Sequence, residues 1–112
     1  MRVIVTQLDV PPPIPAAVVG GIIASPGGQA NATALRARNN IVTTASAGWA
    51  VVLQVLQPGV QRVFNRSGAV LTVYPSLGTQ IEGNGLNVPV TIANGGEADF
   101  VFDTVQTWIV GG

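Results

Sequence analysis

The chain has 112 residues, of which 47% are hydrophobic and only 9% are charged, and its formal net charge is zero. This length suits one domain, and without a basic surplus the chain is not expected to bind nucleic acid. Because Cys and His are absent, it also lacks disulfides, thiolate ligands and the usual ligands of zinc, copper and iron. Soluble domains are on average about one-quarter charged. The deficit predicts a surface that is covered by another subunit or a larger assembly.

Residues 1–28 are predicted to form an N-terminal arm. Residues 2–8 have the composition of a strand, and the prolines in residues 11–15 favour an extended polyproline conformation that lacks ladder donors. We expect the arm to add its strand to the sheet edge of another chain, although an ordinary first strand of the same domain is the alternative. The residues predicted to make this contact are Arg2, Val3, Ile4, Val5 and Leu8.

Residues 29–112 are predicted to form one antiparallel β-sandwich domain. Val, Ile and Thr are frequent, and Gly or Pro interrupts the chain about every ten residues, as in sandwiches and barrels. No window keeps helical spacing for more than two turns, so we expect almost no helix. Residues 60–65 and 69–75 are expected to form a hairpin around Ser67-Gly68. The other expected strands cover residues 32–38, 40–45, 49–56, 88–92, 97–103 and 104–110.

Alternation of side chains predicts which strand faces are buried. Residues 49–56 are apolar on both faces, so both are expected to be covered. In residues 97–103, Phe100 and Phe102 share one face and the acidic residues share the other. The residues predicted to form the core between the sheets are Leu71, Val73, Val90, Ile92, Phe100 and Phe102.

The chain has few side chains that could take part in catalysis. Glu97, Asp99 and Asp103 share a strand face, and their spacing of about 7 Å would suit glycosidase carboxylates or a calcium site. The same pattern is typical of a solvated strand face or a subunit contact, which we favour. Neither His nor Lys is present to activate a hydroxyl group. The sequence therefore predicts a non-enzyme without catalytic residues, cofactor or metal.

Aromatic and arginine residues offer two candidate binding sites. Trp49, Tyr74 and Trp108 would make a sugar-stacking platform if they lay together, but such residues in β domains more often belong to the core or an interface. Arg36 and Arg38 occupy alternate positions of one predicted strand, and guanidinium groups match carboxylates on a partner surface. We predict that these two arginines bind a partner, with plain solvated residues as the alternative.

Between Gln29 and Trp108 the chain carries short motifs in a fixed order. The most specific part is Asn65-x-Ser67-Gly68, followed by Val73-Tyr74-Pro75 and then by a Gly–Ile–Gly series. The full series comprises Gln29, residues 32–35, residues 42–44, Ala47-Gly48, Pro58-Gly59, residues 64–68, residues 71–75, Gly78, Ile81, Gly83, Ile92, Gly95-Gly96, Phe100 and Trp108. This order, over about 80 of the 112 residues, resembles small structural proteins of tailed bacteriophages: head decoration, cement and stapling proteins and related fibre modules.

The resemblance implies a jelly-roll-like sandwich that binds the major capsid protein on the outside of the head. Such a protein would be made in the host cytoplasm, would stabilise the virion, and would contact neither nucleic acid nor membrane. Relatives of this kind are commonly dimers or trimers, so we expect a homodimer, or alternatively a homotrimer. Because fibre modules share the sandwich, the alternative function is a receptor- or glycan-binding module of a head or tail fibre. Residues 1–28 lie outside the resemblance.

Overall fold

The computed structural model of the chain describes residues 16–54, 60–102 and 107–111. These residues form two β-sheets and one 3-10 helix (Gln29–Asn31), which confirms the all-β prediction. Within them, no helix is long and apolar enough to cross a membrane. The strands are β1 (Ala16–Ile23), β2 (Thr33–Ala34), β3 (Ala37–Thr44), β4 (Ala50–Val52), β5 (Val60–Asn65), β6 (Leu71–Tyr74), β7 (Gln80–Ile81), β8 (Gly85–Leu86), β9 (Val90–Ile92), β10 (Glu97–Phe102) and β11 (Thr107–Gly111).

The strand pairing is mixed rather than antiparallel throughout. The seven-stranded sheet has the order β1-β3-β5-β10-β11-β7-β8, and the four-stranded sheet has the order β2-β4-β6-β9. The first six strands alternate between the sheets, and each of the strands β1 to β4 pairs in parallel with the next strand of its own sheet. Strands β7 and β11 are also parallel, whereas the remaining neighbours are antiparallel. Parallel neighbours need a crossover, and here a strand of the other sheet takes the place of the usual helix.

The predicted hairpin of residues 60–75 is wrong, because β5 and β6 lie in different sheets. The buried Asn65 side chain explains the difference. Its Nδ2 donates hydrogen bonds to the carbonyl oxygens of Ala69 and Ile92, at 2.7 and 2.8 Å. Its Oδ1 accepts hydrogen bonds from the backbone N–H and the hydroxyl group of Ser67, at 3.1 and 2.6 Å. These bonds replace a hairpin ladder and turn the chain from one sheet to the other.

Residues 16–28 belong to the domain, so the predicted arm does not extend to residue 28. β1 pairs with β3 at the edge of the larger sheet, and Ser25 forms a bridge with Ala50. The physical reason is the apolar run before residue 25, from which Ala24 enters the core with 2% of its surface exposed. Residues 1–15, with the predicted contact residues Arg2, Val3, Ile4, Val5 and Leu8, lie outside the described residues.

One cluster of buried side chains joins the two sheets. The seven-stranded sheet contributes Val42, Val63, Ile81, Phe100 and Trp108, and the four-stranded sheet contributes Val51, Leu71, Val73 and Ile92. Val90 and Phe102 are partly buried and pack against this cluster. The rings of Phe102 and Trp108 lie 4.9 Å apart between centroids. Full burial of each large apolar side chain stabilises the fold by about 1.5–3 kcal/mol.

Two further buried amides hold the chain where it passes between the sheets. Gln61 donates to the carbonyl oxygens of Leu35 and Ala37, both at 3.0 Å, and its Oε1 accepts the backbone N–H of Gln54 at 2.7 Å. Asn40 donates to the carbonyl oxygen of Ala37 at 2.8 Å. Because a buried backbone group without a partner is costly, these amides make the irregular segments around β2 and β3 compatible with burial.

Candidate interaction surface

Arg36 and Arg38 lie at the surface where β2 leads into β3. The residue between them, Ala37, is fully buried and is held by the amide of Asn40, so the backbone at this point is anchored. Neither arginine has an ion pair or side-chain hydrogen bond with another described residue. The fold thus leaves both arginines exposed, two positions apart.

The seven-stranded sheet has one face on the core and one face toward solvent, which we call the outer face. Strand register arranges its side chains in rows, and the central row holds Val18, Asn39, Arg62 and Asp99 on four adjacent strands. Arg62 and Asp99 form a two-pronged ion pair, from Nε to Oδ1 and from Nη2 to Oδ2, the latter at 3.1 Å. Their side chains remain 43% and 31% exposed. The centre of the outer face therefore carries one cation and one anion side by side.

This ion pair favours the charged form of Arg62. The hydrogen bond with Asp99, and then the charge of that carboxylate, raise the pKa of Arg62 above its ordinary value. A raised pKa stabilises the folded state at every pH below the ordinary arginine pKa. This stabilisation is lost only when the pH rises through the raised pKa of Arg62 in the folded chain. Because both side chains are partly exposed, solvent screens the pair and its contribution to folding stability is small.

Apolar side chains flank the central row on both sides. Val60, Val101 and Ile109 form one row across β5, β10 and β11, and Val101 and Ile109 are 42% and 43% exposed. Ile41 and Phe64 are neighbours on the opposite side of the central row. An exposed sheet face normally carries polar residues, and contiguous exposed apolar side chains mark interaction sites. The outer face is therefore the candidate interaction surface.

Phe64 is held between two arginines at one end of the outer face. The guanidinium carbons of Arg62 and Arg66 lie 5.9 and 5.5 Å from the ring centroid, within the range of cation–π attraction. Arg66 is itself fixed, because its Nη1 donates to the carbonyl oxygens of Gly95 and Gly96 at 3.1 and 3.3 Å. A contact made by such side chains loses little conformational entropy on binding.

The predicted carboxylate cluster is only partly within the described residues. Glu97 and Asp99 lie on the outer face, where Asp99 is bound to Arg62, and Asp103 lies outside the described residues. Over the described ranges, no three acidic, His or Cys side chains gather as a metal site would require, and no pocket is found. Trp108 is fully buried and donates its Nε1–H to Thr79 Oγ1 at 3.2 Å, so it belongs to the core, as favoured from the sequence, and not to a sugar-stacking platform.

Several motif residues lie at two corners of the fold. At the first corner, Asn65 donates its N–H to the carbonyl oxygen of Gly96 at 2.9 Å and accepts the N–H of Gly95 at 2.8 Å. At the second corner, Gln29 Nε2 donates to the carbonyl oxygen of Pro75 at 2.8 Å and to Asn87 Oδ1 at 3.2 Å. These motif residues act on chain connections, so they determine architecture rather than a binding site.

No protein-family model, curated protein or solved structure matches this chain. The resemblance to phage structural proteins therefore rests on motif order alone. Sequence reasoning did not single out Arg62, Val60 or Ile109 as surface residues. The available signal was the alternation within residues 60–65, which assigns Val60, Arg62 and Phe64 to one strand face and Val63 to the other. Only the strand order brings Arg62 beside Asp99.

Proposed function

We propose that the chain is a non-enzymatic decoration protein of a tailed-phage capsid, which binds the outer surface of the major capsid protein shell and stabilises the head. The observation that carries this proposal is the exposed apolar outer face on a domain with 9% charged residues. The order of motifs supports the same function. The proposal includes a jelly-roll-like sandwich, in a variant whose first six strands wind between the sheets in parallel register. It also includes an arm that precedes β1.

The proposed mechanism is stapling. A shell protein closes the icosahedron by itself, and a decoration protein adds ties across the seams that resist the pressure of packaged DNA. Each tie can be weak, since after one contact the next is effectively intramolecular. Arg36 and Arg38 would supply forked hydrogen bonds to carboxylates of the shell.

The proposed state is a homodimer, with a homotrimer as the alternative, at the outer surface of the virion after synthesis in the host cytoplasm. It needs no cofactor and contacts neither nucleic acid nor membrane. The outer face, which combines an ion pair with exposed Val101 and Ile109, suits a protein–protein contact. Such contacts join apolar centres to polar groups.

The test compares heads that carry the protein with heads stripped of it. We expect stripped heads to assemble normally but to release DNA at a lower temperature, and re-addition of the protein to restore the higher temperature. The R36A/R38A double variant should restore it less well. The matched R36K/R38K variant keeps both charges but loses the forked hydrogen bonds. It should restore the release temperature less well than the unaltered protein and better than R36A/R38A. Urea unfolding of each variant checks that the domain is intact.

Equal release temperatures for full and stripped heads would overturn the stapling function and favour the fibre module. A fibre module would also be present in few copies per virion, whereas a staple covers the head. If the double variant protected heads as well as the unaltered protein does, the function would stand, and Arg36 and Arg38 would no longer be assigned to the contact.

A further inference from the structure

The charges of the outer face are sorted by strand. Arg62 lies on β5 and Arg66 directly follows it, whereas Glu97 and Asp99 lie on the neighbouring strand β10. Asp99 is opposite Arg62 in register, and Glu97 is opposite Phe64, whose ring Arg66 contacts. One strand of the central pair therefore presents cations and the other presents anions.

This arrangement is complementary to itself about one particular axis. Consider a two-fold axis that runs along the strands, midway between β5 and β10 and just above the outer face. It would place β5 of a second copy over β10 of the first. Arg62 would then meet Asp99 of the second copy, and Val60 would meet Val101 of the second copy. Glu97 of the second copy would lie over Phe64, beside the guanidinium group of Arg66, which is 5.5 Å from the centre of that ring.

One other two-fold axis in the plane of the face lacks this complementarity. An axis at right angles to the strands, through the central row, would place Arg62 against Arg62 and Asp99 against Asp99. Like charges in close contact are strongly unfavourable in an interface. Isologous contacts use the same patch on both copies, so the charge pattern favours the axis that runs along the strands over the axis at right angles to them.

We propose that the outer face is the self-association surface of this chain, with Arg62 of each copy bound to Asp99 of the other. The inference rests on the homodimer in the proposed function and names its interface. Val60, Val101 and Ile109 would supply the apolar contact beside the ion pairs. Sheets that pack face to face keep their strands within about 30° of each other, which is compatible with this axis.

The available area predicts a dimer of moderate affinity. The axis places β5 over β10 and β3 over β11 of the other copy, and β1 over the short β7. Strands are spaced by about 4.8 Å and rise by about 3.4 Å per residue, so the shared face measures about 20 by 20 Å. Two such faces bury about 800 Å² in total, which is the size of a transient interface. We therefore expect a dissociation constant in the micromolar range for the isolated protein.

The experiment uses charge reversal in the full chain and sedimentation velocity. R62D and D99R alone should each weaken self-association on the order of tenfold or more, because like charges then meet across the interface. An equimolar mixture of R62D and D99R should associate again. One variant then carries two anions and the other two cations at these positions, so only the mixed pair has opposite charges in contact. Within each copy, the pair remains broken.

The double variant R62D/D99R restores opposite charges within and between copies and should dimerise like the unaltered protein. E82R is the matched control, because Glu82 is exposed in the turn between β7 and β8, away from the axis. Its self-association should equal that of the unaltered protein. Urea unfolding checks that R62D and D99R remain folded.

A mixture that stays monomeric, or single variants that associate as well as the unaltered protein, would overturn the interface. The two proposals can fail separately. A monomer that still raises the DNA release temperature of heads would overturn only this inference. A dimer of the expected kind that leaves that temperature unchanged would overturn only the stapling function.

Discussion

Asn65→Asp tests most directly how the chain passes from one sheet to the other. Asn65 is fully buried, and its side chain takes part in four hydrogen bonds, two as donor and two as acceptor. A carboxylate has almost the same shape and keeps both acceptor roles toward Ser67. It loses both donor roles, so the carbonyl oxygens of Ala69 and Ile92 face a negative charge instead of an N–H group.

The expected loss of stability follows from these two carbonyl groups. A buried polar group that loses its partner costs about 1–3 kcal/mol, so two of them cost about 2–6 kcal/mol. Burial of the new charge acts in the same direction. Since a domain of this kind is stable by about 5–15 kcal/mol, Asn65→Asp should remove a large part of the free energy of unfolding.

Urea unfolding followed by tryptophan fluorescence and circular dichroism measures this loss. Asn84→Asp is the matched control, because Asn84 is exposed and its backbone N–H alone is bonded, to the carbonyl oxygen of Ile81 at 2.9 Å. This control should change the free energy of unfolding by no more than about 0.5 kcal/mol. If Asn65→Asp fell within about 1 kcal/mol of Asn84→Asp, the amide would not be what holds the corner.

Two further substitutions test the core and the turn. Phe100→Ala should cost roughly 3–5 kcal/mol of unfolding free energy, because Phe100 is fully buried. In the same urea assay, Val101→Ala on the outer face should cost less than about 1 kcal/mol. Similar costs for the two variants would mean that the faces of β10 are reversed. Gly68→Ala should cost about 1–2 kcal/mol, because Gly68 has φ +89 although a methyl group would meet no atom there. Gly20→Ala, where the space is equally open and φ is not positive, should be close to neutral in thermal unfolding, and equal effects would contradict the argument from backbone strain.

Alternation in the sequence was sufficient to separate the faces of single strands. Phe100 lies in the core while Asp99 and Val101 lie outside, because successive side chains of a strand point in opposite directions whatever the sheet order is. The pairing of strands has no such local signal. The hairpin prediction used the turn residues Ser67-Gly68, but the bond from Asn65 to Ile92 joins residues 27 positions apart. Short-range patterns cannot show that bond.

The same limit applies to the candidate surface. Arg62 and Asp99 are 37 positions apart, so their contact follows from the register of β5 with β10 and not from any spacing in the chain. The predicted boundary at residue 28 has a related cause. Glycine and proline mark the ends of segments, but they do not show whether the segment before them, here β1 with the buried Ala24, pairs with a strand of its own domain.

The corners of the fold and the central ion pair of the outer face are formed by different residues. Gln29, Asn65 and Gly95 belong to the motif series and hold corners of the fold through their hydrogen bonds. Arg62 and Asp99, which lie at the centre of the outer face, do not belong to it. Substitution of Arg62 and Asp99 therefore leaves the hydrogen bonds of these corner residues in place. The hydrogen bonds of the corner residues support the architecture, and the proposed self-association has to be tested on the outer face, where charge reversal at Arg62 and Asp99 leaves the corners intact.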